Sequence, residues 1–135
     1  MDKIHTEAFL LRKTETLKKS ERLCSKKAFE FLFAKGKNFF NHPVKITYAK
    51  EKSDNPSIQV AFGASKRNYK KAVHRNRIKR ILRDIYRKNK LEIIEGYHQY
   101  LMISYISKEI DPYPVIETSL TKTLNDIQAY NKKHS

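Results

Sequence analysis

Residues 58–87 read IQVAFGASKRNYKKAVHRNRIKRILRDIYR, and a change of period inside that stretch decides the fold. Ile58, Val60, Phe62 and Ala64 alternate with Gln59, Ala61 and Gly63. Period two predicts a strand with one buried face. From about Lys71 the period lengthens: Ile78, Ile81, Leu82 and Ile85 recur at i, i+3, i+4 and i+7. That spacing predicts a helix over 71–90 with one apolar stripe. Beyond it lies the apolar run 100–106, with Leu101, Ile103 and Tyr105 on one side of a strand. The helix is then the crossover of a β-α-β unit.

Upstream, Val44, Ile46 and Tyr48 alternate with Lys45, Thr47 and Ala49. Residues 52–56, Lys-Ser-Asp-Asn-Pro, have turn chemistry, so the strands on either side of them read as an antiparallel hairpin. A first helix begins near Ser25, whose hydroxyl suits an N-cap. Ala28, Phe29, Leu32 and Phe33 form its stripe, Phe31 falls off it, and Gly36 suits a left-handed C′ position. A final helix runs from about Pro114 to Tyr130 with Ile116, Leu120, Leu124 and Ile127 on one side. The expected fold class is α/β: a small two-layer α/β sandwich of order α-β-β(-β)-α-β-α, with the helices on one face of the sheet. Residues 1–17 show no firm period and read as an N-terminal extension; residues 18–131 read as a single domain.

The net charge is +15, and its distribution is uneven. Residues 65–90 hold twelve Lys and Arg against one acid, whereas residues 91–135 hold four against six. A field concentrated in one segment is a binding footprint for a polyanion. On the helix, Asn76, Lys79, Arg80, Arg83 and Arg87 lie opposite the apolar stripe, flanked by Arg75 and Arg77. A solvated helix face interleaves opposite charges at i,i+4, yet Asp84 is the one acid here. Arginine forks grip phosphate oxygens bidentately, so this face points to RNA. Single-stranded RNA also needs flat apolar surfaces on which bases stack. Phe29, Phe33, Phe39, Phe40, Tyr48 and Tyr69 are the candidates. Helical spacing alone assigns Phe29 and Phe33 to the core.

Catalytic constellations do not emerge from the spacing. His5, His42, His74, His98 and His134 are scattered, and Cys24 has no neighbouring base and reads as a packing residue. The three glycines make no phosphate cradle. No carboxylate cluster suggests a protein-held metal pair. One cysteine fits a reducing compartment, and the apolar segment 8–11 is too short for a signal or a membrane span; the cytoplasm is the expected location.

Ala72–Arg80 with Arg83 resembles the arginine-asparagine-arginine motif of bacterial ribonuclease P protein subunits. Val60–Arg67 resembles the family's strand ending in Ser-Lys-Arg, and Arg22-Leu23, Phe29–Phe33 and Lys35-Gly36 resemble its N-terminal segment and first helix. The resemblance covers about residues 18–131. It implies a sandwich whose β-α-β crossover is left-handed, against the usual rule. It implies a cytoplasmic subunit of an RNA-based endoribonuclease that removes the 5′ leader from precursor tRNA, with cleavage by the RNA and its Mg²⁺ and no metal bound by protein ligands. It implies one protein per catalytic RNA, precursor tRNA as substrate, and neither membrane nor DNA as partner. Lys66, Arg67, Arg75, Asn76, Arg77, Lys79, Arg80 and Arg83 would meet the catalytic RNA, and Phe29 and Phe33 would meet the leader. Gly63 stands where the family often has serine, and the link Asn68–Lys71 is longer and more basic than usual. A ribosomal-type RNA-binding protein of similar fold and a DNA-binding regulator are the alternatives.

Overall fold

The computed structural model describes residues 21–133. Its elements are α1 (Lys26–Lys35), β1 (Lys37–Asn41), β2 (Val44–Lys52), β3 (Ser57–Ala64), α2 (Ala72–Lys88), β4 (Tyr97–Tyr105) and α3 (Tyr113–Lys133). The strands form one sheet in the order β1-β2-β4-β3. β1 and β4 each run antiparallel to β2, while β3 runs parallel to β4. The crossover through the basic helix therefore exists as expected.

The hairpin expected between β2 and β3 does not. β4 lies between them, and the true hairpin joins β1 to β2. Alternation specifies which face of a strand is buried and says nothing of its neighbours. β1 itself, Lys-Asn-Phe-Phe-Asn, is too short and too polar to show a period. Its last residue, Asn41, is fixed from α3: its amide donates to Thr123 Oγ1 and Asp126 Oδ2, both at 3.0 Å.

One face of the sheet carries the main core. Val44, Ile46, Tyr48, Val60, Leu101, Ile103 and Tyr105 meet Ile78, Leu82, Ile85 and Tyr86 of α2 and Ile116, Leu120, Leu124 and Ile127 of α3. Each such aliphatic side chain contributes about 1.5–3 kcal/mol on burial. A buried polar chain ties the layers together: Asn131 Nδ2 donates to the Tyr48 hydroxyl at 2.9 Å, which donates to Gln99 Oε1 at 2.6 Å. Burial pushes the Tyr48 phenol up to about 12, so it remains a neutral donor.

α1 departs from the expectation that all helices share a face. Leu32, with Leu23, packs on Ala49 and Tyr100, which point away from the main core. The reason lies in the strands: Ala49, Ala61, Tyr100 and Met102 are apolar positions of opposite parity to the core set, so a second cluster needs a cover. Ser25 caps α1 as expected, its Oγ accepting the Ala28 N–H at 3.4 Å. Gly36 ends the helix differently. Its backbone is extended, with φ −75° and ψ 151°, and a Cβ there would lie 2.2 Å from the Leu32 carbonyl oxygen and 2.8 Å from Thr47 Cγ2. Glycine is required for close approach, not for a left-handed turn. Among the described residues, no helix is long and apolar enough to cross a membrane. The extension at residues 1–17 lies outside the described residues.

Candidate nucleic-acid interface

α2 turns Ile78, Leu82, Ile85 and Tyr86 into the core and leaves Asn76, Arg77, Arg80 and Arg83 exposed, with Lys79 half-buried. Asp84 does not neutralise these cations. Its carboxylate takes Arg87 at 2.5 Å and Lys88 at 3.5 Å and accepts the Tyr113 hydroxyl at 2.7 Å. The Tyr113 hydrogen bond, aided by both cations, holds Asp84 below the usual carboxylate range. Arg87 is thereby removed from the free basic face on which helical spacing put it. Among the described residues, no acid lies within ion-pair distance of Arg77, Lys79, Arg80 or Arg83. The Arg83 guanidinium sits 5.7 Å from the Phe62 ring centre, where the aromatic face steadies it.

Arg75 stands apart from its neighbours. Its Nη1 donates to the carbonyl oxygens of Tyr69 at 2.7 Å and Lys70 at 2.9 Å. It clamps the loop that carries Lys66 and Arg67, both exposed. Tyr69 pins the same loop from within: its ring is buried, and its hydroxyl donates to Ser107 O at 2.8 Å. Tyr48 is likewise buried, and Phe39 packs edge-on against Tyr48 and Tyr130. None of these three is a stacking surface.

The aromatic surfaces that remain open lie on the α1 side. Phe33 is 64% exposed and Phe29 is half-buried, so neither is the plain core residue that helical spacing suggests. Their rings stack 6.2 Å apart at 17°. Leu32 points at the sheet; counting 100° per residue from it, Phe31 leaves α1 on one side and Phe29 and Phe33 leave on the other. The Phe31 ring packs on Tyr100 at 5.4 Å, so the Phe29–Phe33 pair faces away from Tyr100. Beside α1, Gly63, Ser65, Arg67, Met102, Ser104 and Lys108 line an open groove of about 710 Å³. Arg67 thus borders both the groove and the loop leading into the arginine helix. A Cβ at Gly63 would meet only the Met102 terminal methyl, at 2.6 Å, so a serine there would need no more than a shift of that flexible side chain.

Other candidates resolve plainly. Cys24 is exposed and not a packing residue. His98 is half-buried, bonded to Ser57 Oγ and, at 3.2 Å, to Gln59 Oε1. His5 and His134 lie outside the described residues.

A family model described as Ribonuclease P matches residues 17–128. The chain belongs to the ribonuclease P protein family. A "Ribonuclease P protein component" of Petrotoga mobilis is 34% identical, over 85% of this chain and 98% of the relative. One from Chlorobium phaeobacteroides is 29% identical, over 87% and 88%. The solved ribonuclease P protein of Staphylococcus aureus superposes with a TM-score of 0.64 at 20% identity, covering 79% of this chain and 94% of that one; that likeness concerns the fold. As a ribonuclease P protein, the chain is a subunit of an endoribonuclease of tRNA processing, and its partner is the ribonuclease P RNA. The ribosomal and DNA-regulator alternatives give way to this membership.

Proposed function

We propose that this subunit lies against the catalytic RNA through Lys66, Arg67, Asn76, Arg77, Lys79, Arg80 and Arg83, with Arg75 holding their loop in place. On the opposite side of the sheet, Phe29 and Phe33 receive the single-stranded 5′ leader of precursor tRNA. The protein raises substrate affinity and metal occupancy, and the RNA cleaves the phosphodiester to leave a 5′ phosphate on the tRNA. One protein serves one RNA, in the cytoplasm. The observation that carries this proposal is the arginine face of α2, whose nearby acid is already committed to Arg87, Lys88 and Tyr113. Unneutralised cations crowded on one surface favour a phosphate backbone, which releases its counterions on binding.

Mg²⁺ enters through the RNA in this scheme. Among the described residues, no three His, Cys, Asp or Glu side chains gather where one cation could be held.

The test is reconstitution with a ribonuclease P RNA at low Mg²⁺. Leader removal should become faster and tighter with the protein than without it; an RNA indifferent to the protein would overturn the proposal. Phe29→Ala should weaken leader-bearing substrate by about 1–3 kcal/mol more than leader-free tRNA, the range for one base stacked on a ring. Equal losses on both substrates would mean that the ring serves only the fold.

A further inference from the structure

The face of the sheet under α1 is built of residues in cross-strand register. Asn38, Thr47, Met102 and Ala61 form one row, and Ala49, Tyr100 and Gln59 form the next. Both lie in the patch that α1 covers. On the side away from Tyr100 runs another row, Phe40–Lys45–Ser104–Gly63, one residue from each of the four strands. Two of its members, Ser104 and Gly63, line the open groove with Arg67 and Lys108. The other end is Phe40, 61% exposed, with the Lys45 ammonium 5.8 Å from its ring centre.

This row has an unusual composition for a sheet surface: one large aromatic, one cation, two small residues and no acid. Phe40 has no apolar neighbour on its row to cover it. Its backbone is nevertheless held firmly, because Asn41 is bonded to Thr123 and Asp126 and the His42 carbonyl accepts Ser119 Oγ at 3.0 Å. At about 4.8 Å per strand the row spans roughly 14 Å, with cations at both ends and a flat ring at one. A rigid exposed ring beside a cation suits a base stacked on the one and its phosphate held by the other.

We infer that Phe40 and Lys45 form a second leader subsite at the β1 edge, stacking one unpaired base and holding its phosphate. It lies at the β1 end of the row, across the sheet from the groove that Arg67 and Lys108 line. This rests on the leader-binding proposal above and extends the leader's path across the whole sheet. The row's two small members, Ser104 and Gly63, leave its β4–β3 half open for the strand to cross.

The experiment uses the reconstituted holoenzyme with precursor tRNAs of increasing leader length and with leader-free tRNA. Phe40→Ala should weaken long-leader substrate about 5- to 150-fold, the stacking range expressed as affinity, and leave leader-free tRNA unchanged. Phe40→Tyr should restore binding. Lys45→Ala should lower the salt slope for long-leader substrate by about one counterion. With 2-aminopurine stepped along the leader, one position should be quenched in the wild type and brightened by Phe40→Ala. If Phe40→Ala leaves the length dependence and the quenching intact while Phe29→Ala abolishes leader preference, the second subsite is wrong and the first stands. If Phe40→Ala weakens both substrates equally, or Phe40→Tyr fails to rescue, Phe40 is structural and the inference is overturned. If the wild type itself shows no leader preference, both proposals fall together.

Discussion

Neighbouring arginines on one helix can hold different positions in a mechanism, and hydrogen-bond partners separate them. Arg80 is exposed and lies beyond ion-pair reach of every described acid. Arg75 spends one nitrogen on two backbone carbonyls. Arg80→Ala should leave unfolding free energy within about 0.5 kcal/mol of wild type and lower the salt slope of RNA binding by about one. Arg75→Ala should cost about 1–3 kcal/mol of stability, the range for hydrogen bonds from a charged donor. Urea unfolding and a salt titration of RNA affinity on the same two variants check this. The cationic face was legible in the sequence because helical period alone sorts α2 into two sides. The Arg75 clamp was not, since its acceptors are main-chain oxygens in a loop whose path no side-chain pattern specifies. Phe40 was visible only as one of six aromatics; its exposure depends on a strand pairing that five residues could not announce.

Between elements, Asp84 is the joint that matters. It lies on α2 and accepts a hydrogen bond from Tyr113 at the start of α3. Tyr113 is pushed up to about 12, chiefly by burial and then by its bond to Asp84, so it donates as a neutral phenol at every ordinary pH. Asp84 is held below its unfolded value of about 3.9. Its contribution to stability is therefore complete above that value and disappears as pH falls through the lower, folded-state pKa. Tyr113→Phe should cost about 1 kcal/mol at pH 7, with the gap to wild type closing in strong acid. Unfolding midpoints of both proteins from pH 7 to pH 2 measure it; a gap independent of pH would mean the hydroxyl serves packing alone. At this scale the helices and the three longer strands were readable, because each shows its apolar positions at a regular spacing at least twice. The order β1-β2-β4-β3 was not: identical alternation in β2, β3 and β4 leaves their neighbours open. The placement of α1 on the opposite face escaped for a related reason, since Ala49, Ala61 and Met102 are too small or too flexible to signal a second buried side.

For the whole molecule, a net charge of +15 on 135 residues opposes compaction in the free subunit. Raising salt from about 10 mM to 0.3 M shortens the Debye length from roughly 30 Å to below 8 Å. The isolated protein should therefore gain roughly 1 kcal/mol, about 4 °C in melting temperature. RNA at 100-fold its Kd should add about 2.7 kcal/mol, and added salt should then erode that second gain. Thermal melts with and without RNA across the salt series check both signs; a free protein that melts lower in salt would show that ion pairing outweighs repulsion.

The placement of β4 between β2 and β3 also bears on how the chain is made. β4 is the last strand synthesised, yet it is the one that joins the other two. Until residue 105 has left the exit tunnel, β2 and β3 each carry an open edge and α2 has an incomplete surface to fold upon. The most positive segment of the chain, residues 65–90, is therefore synthesised before the strand that completes the sheet under α2, and its arginine face reaches its final scaffold only once β4 is in place.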